Sequence, residues 1–117
     1  MDFDVVIVGS GLVGASLALA LSTSGLRLAV VEVQPPQPVP ETADWDSRIY
    51  AISPGSAAFL EGSGIWPQLD GMRVCQVEEM RIFGDDTRAH LDFSAYHAGL
   101  RELAFIVENR QLLQAAW

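Results

Sequence analysis

Cysteine occurs once, at Cys75, so no internal disulfide can form and no cysteine-based metal site can be assembled. This usage fits a reducing compartment, and Cys75 reads as a buried small hydrophobe. Basic residues are scarce. Seven Lys and Arg stand against 15 Asp and Glu, a formal net charge of -8, and the resulting field repels nucleic-acid phosphates and anionic membrane surfaces. No nucleic-acid partner is expected. Long apolar runs are missing as well: the longest, near Leu17 to Leu21, is flanked by Ser16 and Ser22, and Asp2 and Asp4 stand where a signal peptide would be basic. A soluble, cytoplasmic protein without a membrane span is the expectation. Of two histidines, His90 and His97, neither has a paired carboxylate or a second histidine at ligand spacing, so both read as surface or packing residues. No catalytic residue and no metal ligand is assigned.

What the chain does have is apolar content: 50% of its 117 residues are hydrophobic and 19% charged, which calls for a packed core and for one domain or part of one. Phe3 to Val8 is a short run of apolar and β-branched residues, which reads as the central strand of a parallel sheet, buried on both faces. Gly11 to about Thr23 is built of strong helix formers, and Gly25 stands where a helix would stop. Arg27 to Val33 reads as a second buried strand, so residues 1–33 form a βαβ unit. Four of the six prolines fall between Pro35 and Pro40, within a segment QPPQPVPETADWD that reads as a surface loop.

Beyond the loop, Ser47 to Ile52 is a short extended piece, and Ser53-Pro54 opens a helix that runs to Leu60 or Glu61 and is ended by Gly62 and Gly64. Gln76 to Phe83 and Arg88 to Phe93, joined by Gly84-Asp85-Asp86, read as a hairpin that starts a β-rich region at about 74–103, with the two aspartates as turn residues. Ala104 to Val107 is a further strand, and Asn109 is placed to cap a last helix, RQLLQAAW. Trp45, Trp66 and Trp117 read as core or interface anchors.

Gly9-Ser10-Gly11-Leu12-Val13-Gly14 is a G-x-G-x-x-G between a strand and a helix. The first glycine permits the tight turn, the second lets a pyrophosphate approach the backbone, and the third allows the helix to pack closely on the strand. Free N–H groups at the helix start, those of Leu12, Val13 and Gly14, are then available to hold phosphates. Glu32 lies about twenty residues on, where a carboxylate accepts hydrogen bonds from ribose hydroxyls. No Arg or Lys follows Glu32 before Arg48, so a ribose 2′-phosphate would find no counter-charge; NADP is disfavoured, and FAD or NAD remain. The bland reading is a glycine turn that only joins two packed elements.

The chain also resembles a known family along most of its length. DVVIVGSGLVGASLALAL, Asp46-Ser47-Arg48-Ile49-Tyr50-Ala51-Ile52-Ser53, Gly64-Ile65-Trp66 and Val107-Glu108-Asn109-Arg110 resemble the ubiquinone-biosynthesis ring hydroxylases, which are single-component FAD-dependent aromatic monooxygenases. The resemblance implies an α/β Rossmann-like FAD-binding domain with the start of an inserted β region, an incomplete one that ends inside the helix after V-E-N-R. It places Arg48 beside the flavin and lets Arg110 reach the FAD, two cations in an acidic chain. It further implies NAD(P)H as reductant, dioxygen as oxidant and a small aromatic substrate, a prenylated phenol, with room for peripheral membrane association, a homo-oligomer or a biosynthetic complex in the full-length enzyme. The family's later G-D motif is not in this sequence. An NAD-dependent dehydrogenase or another FAD/NAD oxidoreductase would account equally well for Gly9, Gly11, Gly14 and Glu32, though not for Arg48 and the V-E-N-R segment, and a non-catalytic truncated remnant is the alternative from another class.

Overall fold

A computed structural model describes residues 2–40 and 44–117; the Glu41 to Ala43 part of the loop after Pro40 lies outside the described residues. The chain begins with β1 (Val5–Val8), α1 (Leu12–Leu21) and β2 (Leu28–Val31), and β1 and β2 pair in parallel with Val5 opposite Leu28 and Val8 opposite Val31. This is the βαβ unit, with somewhat shorter elements than the apolar runs suggest. The strands are not buried on both faces. Ile7 is buried beneath α1, whereas Val6, Val8 and Val31 on the opposite face are 55%, 83% and 54% exposed. β1 also has only β2 beside it, so it is not a central strand among the described residues.

Next come β3 (Ile49–Ile52), α2 (Pro54–Gly62), two short 3₁₀ turns at Trp66–Gln68 and Gly71–Arg73, β4 (Val74–Val77), β5 (Glu79–Phe83), β6 (His90–Ser94), α3 (Ala95–Ala98), β7 (Ala104–Glu108) and α4 (Asn109–Ala116). Ser53 caps α2 as its position before Pro54 implies, its Oγ accepting the Ser56 main-chain N–H at 3.2 Å. α2 runs one residue past the expected end, and the reversal falls at Gly64, whose φ of +83° suits glycine. β7 is the middle of a three-stranded antiparallel sheet in the order β3-β7-β4. β4 leaves that sheet at Val77, so the single strand expected over Gln76 to Phe83 is two strands in two different sheets. β5 and β6 form the expected hairpin. Arg88 belongs to its turn rather than to a strand: Asp86 Oδ1 accepts the Arg88 main-chain N–H at 2.9 Å.

The core lies where these parts meet. Leu60 of α2, Ile65, Val107 of β7 and Leu112 of α4 are buried, with Leu12 and Leu19 of α1 and Trp66 and Phe105 packed around them. Trp66 meets Phe105 edge to face with ring centroids 5.1 Å apart. Cys75 is exposed rather than buried, because β4 is an edge strand whose half-buried residues are Val74 and Val77. Asn109 does not cap α4: the capping position falls on Glu108, and Asn109 is the first helical residue, its N–H donating to the Arg48 carbonyl at 2.9 Å. No helix of the described residues is long and apolar enough to cross a membrane.

Candidate dinucleotide site

The glycine turn has three different glycines. Gly9 has φ of +91°, a left-handed conformation that suits a residue without Cβ. Gly14 has no room for one, since a Cβ there would lie 2.0 Å from the Gly9 carbonyl oxygen and 3.3 Å from Ile7. Gly11 is the opposite case. A Cβ at Gly11 would meet no atom within 4 Å among the described residues, so the space above it is open to them. Gly11 is also the residue that precedes α1, and the helix start carries no side-chain cap and no acidic residue in its first turn. Its first N–H groups therefore have no intrahelical partner and retain the positive end of the helix dipole.

Glu32 lies directly after β2 and is tied to this turn. Its Oε2 accepts the Ser10 main-chain N–H at 2.7 Å and the Ser10 hydroxyl at 2.9 Å, and its Oε1 accepts the Val33 and Gln34 N–H groups at 2.7 and 3.1 Å. Four donors, led by the Ser10 N–H, stabilise the carboxylate and hold its pKa down to about 2. From the other side, the Trp117 indole N–H donates to the Ser10 carbonyl at 3.0 Å. α4 thereby touches the turn with its C-terminal end.

Arg110 sits seven residues before Trp117, about 10 Å along the helix at 1.5 Å per residue. A cavity of about 530 Å³ runs between α4 and the proline loop, lined by Pro36, Pro38, Pro40, Arg110, Leu113, Gln114 and Trp117. A second, of about 370 Å³, also borders Arg110 and Pro40 and is lined as well by Asp44, Arg73 and Glu108. The glycine turn is thus bonded to Glu32 and Trp117, and Trp117 shares the first of these cavities with Arg110. Arg48 is exposed, immediately before β3, and its side chain makes no hydrogen bond or ion pair with the described residues.

Two carboxylates that motif reading passed over organise the arginines. Asp46 Oδ1 accepts the Arg48 N–H at 3.0 Å, while its Oδ2 accepts the Arg110 N–H at 3.1 Å and lies 3.6 Å from the Arg110 Nε. Asp46 is in effect a cap supplied to α4 from a distant segment. Arg110 Nη2 also donates to the Asp44 carbonyl at 3.0 Å. Glu108, 3% exposed, accepts the Asp46 N–H at 2.6 Å and receives Arg73 through Nε and Nη2 at 2.6 and 2.8 Å. That two-pronged bond holds the Glu108 carboxyl below its usual range despite the opposing effect of burial, and raises Arg73. Arg73 stacks on Trp45, 4.2 Å from its ring centroid. The signals were present as the D of D-S-R and the E of V-E-N-R; Arg73 had none. His90 does have a carboxylate, contrary to the sequence reading, with Nε2 3.4 Å from Asp92 Oδ2 on exposed β6, where Asp92 also holds Arg81. His97 is on the surface.

The chain matches the FAD binding domain family over residues 2–106. It belongs to that family. Relatives of this FAD binding domain include the 3-demethoxyubiquinol 3-hydroxylase of Escherichia coli (strain K12), 37% identical over 97% of this chain and 29% of that protein. The mitochondrial ubiquinone biosynthesis monooxygenase COQ6 of Danio rerio is 31% identical over 97% of the chain and 24% of its own length. Ubiquinone hydroxylase UbiL of Rhodospirillum rubrum is 32% identical over 96% and 25%. The chain thus spans roughly a quarter of the length of these relatives and corresponds to their N-terminal portion. Among solved structures, the peptidyl tryptophan dihydroxylase QhpG superposes with a TM-score of 0.59, covering 99% of this chain and 22% of that one at 15% identity, which supports the α/β FAD-binding fold.

Proposed function

We propose that this FAD binding domain holds the adenosine diphosphate part of FAD at its glycine turn and serves as the N-terminal cofactor-binding portion of an NAD(P)H-dependent monooxygenase that hydroxylates an aromatic ring, in keeping with the names of its relatives. One observation carries the cofactor reading: among the described residues nothing lies within 4 Å of a Cβ built at Gly11, while the uncapped N–H groups of α1 open beside it. The diphosphate would rest on the N–H groups of Leu12, Val13 and Gly14, opposite no protein carboxylate in the first turn. The four donors already on Glu32 fill the sites a carboxylate offers. A ribose hydroxyl would therefore take the place of the Ser10 hydroxyl, the one donor of the four that can rotate away.

Arg110 keeps guanidinium donors beyond the one given to Asp44, and with Arg48 it would offset the cofactor's negative charge. When bound, FAD supplies the redox chemistry, with NAD(P)H as reductant, dioxygen as oxidant and a phenolic substrate as acceptor. The chain's own contribution is to bind and orient. The segment at about 74–103, the exposed hairpin included, would belong to the substrate side of the enzyme, and the single cysteine fits a cytoplasmic setting.

Titrating the chain with FAD and following flavin fluorescence and the visible bands tests this reading. The wild-type chain takes up FAD, and Gly11→Val, whose Cβ meets no atom of the described residues within 4 Å, abolishes uptake while leaving the far-UV circular dichroism unchanged. A folded wild-type chain that leaves the flavin spectrum unaltered, or a Gly11→Val chain that binds as the wild type does, would sink it.

A further inference from the structure

The Arg110 guanidinium donates through Nη2 to the Asp44 carbonyl at 3.0 Å, and its main chain and the rest of its charge are met by one side chain outside the glycine motif. Asp46 accepts the main-chain N–H of Arg110, faces its Nε at 3.6 Å, and accepts the main-chain N–H of Arg48 as well. The Arg48 carbonyl in turn accepts the Asn109 N–H at 2.9 Å, so the D-S-R and E-N-R segments are laced together on both sides of one carboxylate. Asp46 is itself fixed: its N–H donates to buried Glu108 at 2.6 Å, and Glu108 is clasped by Arg73 at 2.6 and 2.8 Å. None of these contacts requires a cofactor to be present.

We infer that Asp46 is a positioning residue for the flavin site, fixing the main chain of Arg48 and the start of α4 at Arg110 for the cofactor without touching it, with the Glu108–Arg73 pair as its anchor. The inference rests on the cofactor reading given above. An arginine on a free α4 N-terminus would have many rotamers to lose on binding a diphosphate. Asp46, together with the Asp44 carbonyl, takes that loss during folding, so less of the binding energy is spent on ordering the side chain. The same carboxylate sits near the cations that would meet the ligand, so it also tempers their charge. The geometric effect is the larger one, because without Asp46 the first turn of α4 loses the acceptor for its Arg110 N–H.

A double-mutant cycle tests this. Asp46→Asn keeps the shape and removes the charge, and it weakens FAD binding by about tenfold or more. Arg110→Gln costs about tenfold in the wild-type background and less than about threefold in the Asp46→Asn background, because Arg110 is then no longer held in place. In the cofactor-free chain, the Arg110 main-chain amide proton, which Asp46 Oδ2 accepts at 3.1 Å, exchanges slowly with solvent, and rapidly in Asp46→Asn. Asp92→Asn, which breaks a comparable ion pair on the hairpin, leaves FAD affinity unchanged. If Asp46→Asn does not fold, Glu108→Gln reaches the same segment through the Asp46 N–H and shows the same non-additivity with Arg110→Gln. Wild-type affinity in Asp46→Asn, or additive losses in the cycle, overturns the positioning role and leaves the cofactor reading standing. A wild-type chain that binds no FAD overturns the cofactor reading first, and this inference with it.

Discussion

A methyl group at Gly14 would be driven to 2.0 Å from the Gly9 carbonyl oxygen, a contact that can be relieved only by moving α1 off β1. Gly14→Ala is therefore expected to cost at least about 3 kcal/mol, at the upper end of overpacking penalties, read as a lowered urea midpoint. The three glycines of the motif divide cleanly: the turn needs Gly9, the helix–strand contact needs Gly14, and at Gly11 the protein makes no demand of its own. That division could be read from the spacing, because covalent geometry around a tight turn is local. Other residues could not be read this way. Cys75 is exposed because β4 is an edge, and Asn109 falls inside α4 because its N–H is claimed by the Arg48 carbonyl. Each outcome is set by a partner distant in sequence or by the position of a strand in its sheet.

Elements that begin on local chemistry stand where the sequence places them. Ser53-Pro54 starts α2, and replacing the hydroxyl by Ser53→Ala removes the acceptor for the Ser56 N–H. A loss of about 1 kcal/mol is expected in thermal or urea unfolding, with no change in FAD affinity. The β5–β6 hairpin and its aspartate turn are equally local. After Cys75 the apolar phase shifts at Glu78-Glu79, from Cys75 and Val77 to Met80 and Ile82, and there the pairing partner changes: β4 answers to β7, and β5 answers to β6. Periodicity records which side of a strand is apolar and is silent on which sheet the strand joins. The same limit hid the role of Asp46, whose capping of α4 spans 64 residues of sequence.

The whole molecule is drawn out: its Cα radius of gyration is 17.5 Å and its extents are 61 × 33 × 28 Å, against roughly 13 Å expected for a compact chain of this length. Its parts are joined by carboxylates as much as by the core. Glu32 at about 2, together with Asp46 and Glu108, titrates below the ordinary carboxylate range in the folded state. The unfolded chain then binds more protons than the folded one as the pH drops below about 4.5, so stability present above that value is lost progressively toward pH 2. Melting temperatures measured from pH 6 to pH 2.5 should fall steeply below 4.5. The Glu32→Gln chain, already less stable at pH 6, should show a shallower decline, and parallel curves would remove Glu32 from this account.

The parallel pair β1–β2 leaves one broad side of Val6, Val8 and Val31 facing water, with no further strand beside either member among the described residues. Greasy, hydrogen-bond-hungry margins of this kind are adhesive. A further strand laid along either edge would satisfy its free main-chain groups, whereas drying the three valines takes a second layer packed across the face.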